Sequence, residues 1–103
     1  MSAHPIEDST TVVAAADLLS SAFDKELVIL NLRDGVYYGL EDVGARIWEL
    51  LQRPVTVGAV RDALVVEYDV EPARCGRDVR ELLQALAERG LIEVRDGGDS
   101  ALA

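Results

Sequence analysis

The chain contains one cysteine, Cys75, and one histidine, His4, the residue types from which metal sites and nucleophile–base pairs are most often built. One of each, far apart in sequence, cannot assemble a zinc site and does not suggest a Cys–His nucleophile pair. The acid pairs Glu41/Asp42 and Glu67/Asp69 read as helix-end and surface charges, because neither has a second partner that would define acid–base chemistry. Gly35 and Gly39 fall four apart but flank a strand-like run, so they do not form a phosphate loop. The expectation is a protein that is not an enzyme and carries no metal or cofactor. The remaining cluster is basic: Arg74, Arg77 and Arg80 stand close together in a chain with 19 acidic and 10 basic residues and a net charge of −9. Such a surface repels phosphate backbones and argues against a nucleic-acid partner.

A length of 103 residues fits one domain. No apolar run reaches the roughly 18 residues a membrane span needs, and none has signal-peptide flanks. A lone cysteine fits a reducing compartment, so a cytoplasmic protein with no membrane partner is expected. Residues 1–10 and 96–103 are polar and read as disordered tails around a domain spanning 11–95.

What positions the remaining candidates is clearest between Glu26 and Leu51, ELVILNLRDGVYYGLEDVGARIWELL. Leu27 to Leu32 is rich in β-formers with apolar residues on both faces, which suggests a central strand. Arg33-Asp34-Gly35 supplies a tight turn, and Val36 to Leu40 forms the next strand. With Leu18 to Phe23 ahead of it this makes a three-stranded meander. Three helices follow. The first runs from about Asp42 to Gln52, with Val43, Ile47, Leu50 and Leu51 at helical spacing and Pro54 beyond. Thr56 caps the second, whose stripe is Val57, Val60, Leu64 and Tyr68. The third starts near Pro72 and stops at Gly90. Leu91 to Val94 either forms a last short strand or packs back. The fold class is α+β, a three-stranded antiparallel meander followed by three helices.

The segment Val36-Tyr37-Tyr38-Gly39-Leu40 carries no charge and no proline. Sheet edges are usually blunted by such residues, so an unblunted edge is one kept open for another chain. On the third helix Cys75, Val79, Leu82 and Leu86 form a core stripe, and Gly76, Arg80, Leu83 and Ala87 a second stripe one position along. The second stripe either walls a shallow groove, or Leu83 widens the core face and Arg80 is solvated. Trp48 and Cys75 read as packing residues, and Gly44 as a close approach of helix to sheet.

The run LVILNLRDGVYYGLEDVGARIWELL, continued by TVGAVRDALVVEYDV and DVRELLQALAERGLIEV, resembles the PqqD-like family over residues 12–95. These are the peptide-recognition domains of ribosomal peptide maturation. The resemblance implies a winged-helix-like domain that binds the leader segment of a precursor peptide as a strand beside its third strand, packed on its third helix. Here the backbone partner would be Val36, Tyr37, Tyr38, Gly39 and Leu40. The opposing wall would be Arg77, Arg80, Leu83, Gln84 and Ala87. Within the family, DGVYYGL and GARIWELL are most similar to the stand-alone recognition proteins of lasso-peptide clusters, which implies a leader protease or another maturation enzyme as second partner. A peptide chaperone of pyrroloquinoline quinone biosynthesis is the related alternative. Family members commonly carry Asn where this chain has Glu41, which implies a weaker cap on the first helix. From another class, a winged-helix DNA-binding protein would use Arg74, Arg77 and Arg80 on its third helix, a reading weakened by the net charge and the absence of Lys there. An open edge also leaves a homodimer open.

Overall fold

The computed structural model describes residues 6–95. The meander is present as β2 (Leu18–Phe23), β3 (Glu26–Asn31) and β4 (Tyr37–Glu41), ordered β2-β3-β4 and antiparallel throughout. Around the second turn, Asn31 Oδ1 accepts from Arg33 N–H and Asp34 Oδ1 from Val36 N–H, both at 2.9 Å, while Gly35 takes a φ of 72°. Leu27, Ile29 and Asn31 point to a buried inner face, as does Leu40. The meander is followed by α1 (Val43–Leu50), α2 (Val57–Tyr68) and α3 (Pro72–Glu88).

Local signals set the helix ends. Thr56 Oγ1 accepts from Ala59 N–H at 3.2 Å, and Glu71 caps α3 through Arg74 N–H at 2.9 Å with Pro72 opening the first turn. The N-cap of α1 is Asp42, which makes no side-chain capping bond, whereas Glu41, where the weaker cap was expected, is the last residue of β4. A Cβ on Gly44 would sit 3.2 Å from Leu40 Cδ2, so glycine lets α1 lie close against β4. Trp48 is buried, and Cys75 packs as a small hydrophobe in the core.

A second sheet was not foreseen. It consists of β1 (Thr11–Ala14) between β5 (Val55–Thr56) and β6 (Ile92–Arg95), both pairings antiparallel. Leu91 to Val94 therefore contributes a strand, and its partner is a segment to which no element had been assigned. The amino-terminal segment also differs from the expected tail. From Ile6 onward it packs on the domain, with Ile6 and Thr10 buried. Its Asp8 and Thr10 carbonyls accept from Gly58 and Val57 N–H at 2.9 and 3.0 Å, which satisfies donors that the first turn of α2 would leave unpaired. Residues 1–5 and 96–103, the rest of the expected tails, lie outside the described residues.

Ile6 is thus part of the core, and its truncation has a cost. Ile6→Ala is expected to destabilise the domain by about 2 kcal/mol, the low end of the range for such a change, because the site lies at the rim. Urea denaturation measures this, and an unchanged midpoint would return residues 6–10 to the status of a tail.

Candidate functional site

Hydrogen-bond phase along the meander decides which groups its edges offer. Asn31 N–H donates to the Val36 carbonyl and Asp42 N–H to the Lys25 carbonyl, each at 3.0 Å, and the register pairs Ile29 with Tyr38 and Leu27 with Leu40. In an antiparallel ladder hydrogen-bonded pairs alternate with non-bonded ones. Tyr38 and Leu40 therefore spend their backbone groups on β3, and Tyr37, Gly39 and Glu41 aim theirs outward. Among the described residues no strand pairs with that outer side of β4. The open stretch is uncharged until Glu41.

Side chains follow the same alternation. Tyr37, 67 % exposed, and Gly39 lie on the outer face, while Tyr38 is half-buried and Leu40 buried on the inner one. The Arg89 guanidinium, at the end of α3, lies 5.0 Å from the centre of the Tyr38 ring, a cation–π contact. A cleft of about 270 Å³ opens at the start of β4 between Asn31, Asp34, Val36 and Tyr38 on one side and Glu88, Arg89 and Leu91 on the other. A second, of about 300 Å³, opens just past the end of β4, where Val43, Gly44 and Ile47 of α1 face Asp78, Val79 and Leu82 of α3. The end of α3 meets the start of β4, and the first half of α3 meets the residues after it. The helix therefore runs antiparallel to the strand on its inner-face side, with a shallow cleft at either end.

This fixes the rotation of α3 and corrects the expected wall. Asp78, Leu82 and Arg89 line the clefts, and helical spacing places half-buried Ala85 between them. Arg77, Arg80, Gln84 and Ala87 occupy the opposite flank. Arg80 reaches the Asp8 carboxylate at 3.7 Å, and Arg61, on α2, forms ion pairs with Asp8 and Asp62. Arg80 is thus tied to the amino-terminal segment and is not part of a free basic patch with Arg74 and Arg77. Leu83 has no accessible surface and belongs to the core, whereas Leu82, which the helix pattern had assigned to the core stripe, is only partly buried. The strand half of the expected site, Val36 to Leu40, stands beside the cleft. Val43, Tyr68 and Val70 had no place in the expected site, and all three are exposed apolar residues on the rim of the second cleft. Val43 and Tyr68 stood at the ends of apolar stripes, which the pattern could equally place in the core, and Val70 lies between α2 and α3 in no stripe.

Charge around the site is partly fixed. Arg46 of α1 forms a bidentate pair with Glu67 of α2, at 2.9 and 2.8 Å, which raises the arginine pKa and lowers that of the carboxylate. Burial, with Asp78 nearby, pushes the Cys75 thiol up and leaves it a poor nucleophile. Among the described residues no three His, Cys, Asp or Glu side chains cluster to hold a metal, and no helix is long and apolar enough to cross a membrane.

A winged-helix-like α+β domain whose edge strand is open on one side among the described residues, uncharged up to Glu41 and set beside a helix-walled cleft, is the class these features define. Residues 26–92 match the family described as "Coenzyme PQQ synthesis protein D (PqqD)", and the chain belongs to the PqqD family. Two relatives from Rhodopseudomonas palustris, both called "PqqA binding protein", are similar over 57 residues. The protein of strain ATCC BAA-98 / CGA009 is 37 % identical over 54 % of this chain and 56 % of its own length. That of strain TIE-1 is 39 % identical with the same coverage. The chain thus spans about half the length of the curated relatives it matches. Two solved structures are similar over more of the chain. "TbiB1 in Complex with the TbiA(beta) Leader Peptide" is 38 % identical with a TM-score of 0.74, covering 79 % of this chain and 94 % of that one. "Lasso peptide synthetase B1 complexed with the leader peptide" is 28 % identical with a TM-score of 0.71, covering 80 % and 96 %.

Proposed function

We propose that this protein is an adaptor without chemistry of its own. It binds the leader segment of a ribosomally made precursor peptide and presents it to a maturation enzyme such as a leader protease. The observation that carries the reading is the free side of β4, where the outward N–H and C=O groups of Tyr37 and Gly39 stand open beside the cleft formed with α3. An extended leader adds there as a fourth strand. Its backbone contributes affinity, and its inward side chains choose the register. The cleft lined by Val43, Gly44, Ile47 and Leu82 accepts an apolar or aromatic leader residue, and Arg89 with Asp34 and Glu88 offers polar partners at the other end.

A lasso-peptide pathway is the setting we favour, because the similarity to TbiB1 covers nearly all of that chain. Pyrroloquinoline quinone biosynthesis is the second reading, supported by the family match and the PqqA-binding relatives. Both settings use the same edge, and the precursor tells them apart. The test is fluorescence anisotropy of a labelled leader taken from the precursor encoded beside this protein. Saturable binding at micromolar or lower concentration, lost on scrambling the sequence, is expected. The leader should remain intact by mass spectrometry throughout. No binding to any neighbouring leader would end the adaptor reading.

A further inference from the structure

A cavity of about 410 Å³, larger than either cleft of the leader site, lies along the other flank of α1. Ala45, Arg46 and Glu49 wall it, and helical spacing sets them opposite Val43, Gly44 and Ile47, which face the leader cleft. Ala22 and Leu27 of the meander and Tyr68 of α2 complete its apolar lining. The cavity adjoins β2, LLSSAF, which has neither charge nor proline and pairs with β3 alone among the described residues. Leu32 N–H donates to the Asp17 carbonyl at 3.1 Å, which sets the hydrogen-bond phase. Leu19, Ser21 and Phe23 therefore bond β3, while Ser20 and Ala22 aim their N–H and C=O groups outward. The register puts the small, exposed side chains of Ser20 and Ala22 on the inner face with Ile29 and Leu27. An open edge beside a helix wall, the arrangement at β4, is thus repeated at the other end of the sheet.

We propose that this groove takes an extended basic segment of the leader protease, added as a strand beside β2 and packed on α1. The identity of the partner rests on the adaptor reading; the groove and its charge do not. Four carboxylates, Asp24, Glu26, Asp42 and Glu49, line the cavity with two bases, Lys25 and Arg46. Arg46 is already matched by Glu67 and Glu49, at 2.8 and 3.0 Å. Asp24, Glu26 and Asp42 form no ion pair among the described residues, and Lys25 offsets one of the three. On a chain of net charge −9, a second copy or any acidic segment is repelled here, and one carrying Lys or Arg is attracted. Strand pairing sets the pattern of that segment. Residues that bond Ser20 and Ala22 turn their side chains inward, where a Lys or Arg stem crosses the apolar lining and its head reaches the carboxylates. Residues between them stand on the outer face beside Leu19 and Phe23, which are 57 % and 60 % exposed, and should be apolar. Leader on β4 and enzyme segment on β2 would lie four strand spacings apart, about 19 Å, so both fit at once.

The test uses the whole chain, its leader and the purified leader protease encoded beside it. Hydrogen exchange should slow over β2 on adding the protease and over β4 on adding the leader. A synthetic peptide of alternating Lys and Val should slow β2 in the same way at higher concentration, and its Glu–Val counterpart should not. Ala22→Pro removes an outward donor that β3 does not use, so it should weaken protease binding at least tenfold with leader affinity unchanged. Asp24→Asn combined with Glu49→Gln leaves the edge intact, and Asn tolerates the φ of 59° at position 24. That pair should weaken protease binding threefold to tenfold at low salt and little at high salt. Equal protease affinity for the parent and Ala22→Pro, protection by the protease confined to β4 and α3, or no protease binding to a chain that binds its leader would each overturn the inference and leave leader binding standing. Protection of β2 by the protease in a chain that binds no leader would uphold the groove and end the adaptor reading.

Discussion

Gly39→Pro is expected to lower leader affinity by tenfold to a hundredfold while barely moving the melting temperature. The N–H of Gly39 faces the open side of β4, so the ladder with β3 loses nothing when it is removed. A Cβ built on Gly39 has its nearest neighbour, the Leu27 carbonyl oxygen, at 4.0 Å, and the ring's Cδ would replace the N–H that faces the open side. An added strand loses a donor, worth about 1 kcal/mol net, and meets the proline ring where that donor was. Each tenfold corresponds to about 1.4 kcal/mol, so the hydrogen bond and the steric block together account for the range. Tyr38→Pro is the contrasting variant. Its N–H belongs to the pair with Ile29, and proline there breaks the hairpin itself. Anisotropy with the labelled leader and thermal denaturation, run on both variants, separate the two effects. Equal leader affinity for Gly39→Pro and the parent would remove strand addition at β4 from consideration.

The second large effect separates two neighbouring leucines. Leu83→Ala is expected to cost about 2 to 5 kcal/mol, as for other fully buried leucines, with leader binding falling only in proportion to the unfolded fraction. Leu82→Asp should fold, since the residue is only partly buried, and should abolish binding, because it places a charge in the apolar cleft with Val43 and Ile47. Arg80→Ala, on the opposite flank, should leave affinity within twofold and cost under about 1 kcal/mol, as an exposed ion pair with Asp8 implies. Loss of binding in Arg80→Ala together with unchanged binding in Leu82→Asp would mean that the other flank of α3 faces the leader.

What could be read from the sequence was what neighbouring residues decide. The Asp34-Gly35 turn, the Thr56 cap and Pro72 place three boundaries, and each rests on groups within a few positions of one another. The second sheet was hidden because its strands lie at residues 11–14, 55–56 and 92–95, and each run is too short to show a period. The rotation of α3 was ambiguous for a related reason. Leu82 and Leu83 are adjacent, each fits a plausible apolar stripe, and only the packing of α2 and of Asp8 on the Arg80 side decides between them. Alternation showed that Tyr37 and Tyr38 face opposite ways. Which of the two keeps its backbone free depends on pairing with β3, and that is a tertiary fact.

The pairing of Thr11 with Arg95 places the first and last described strands side by side, about 5 Å apart, with residues 6–10 packed on the domain ahead of the first. A module whose first and last strands are neighbours tolerates insertion into a longer polypeptide with little stretching of its fold. The β4 edge lies on the other sheet, so a graft at these ends leaves it untouched. On the adaptor reading proposed above, the same geometry would let the domain be tethered to an enzyme without disturbing the β4 edge.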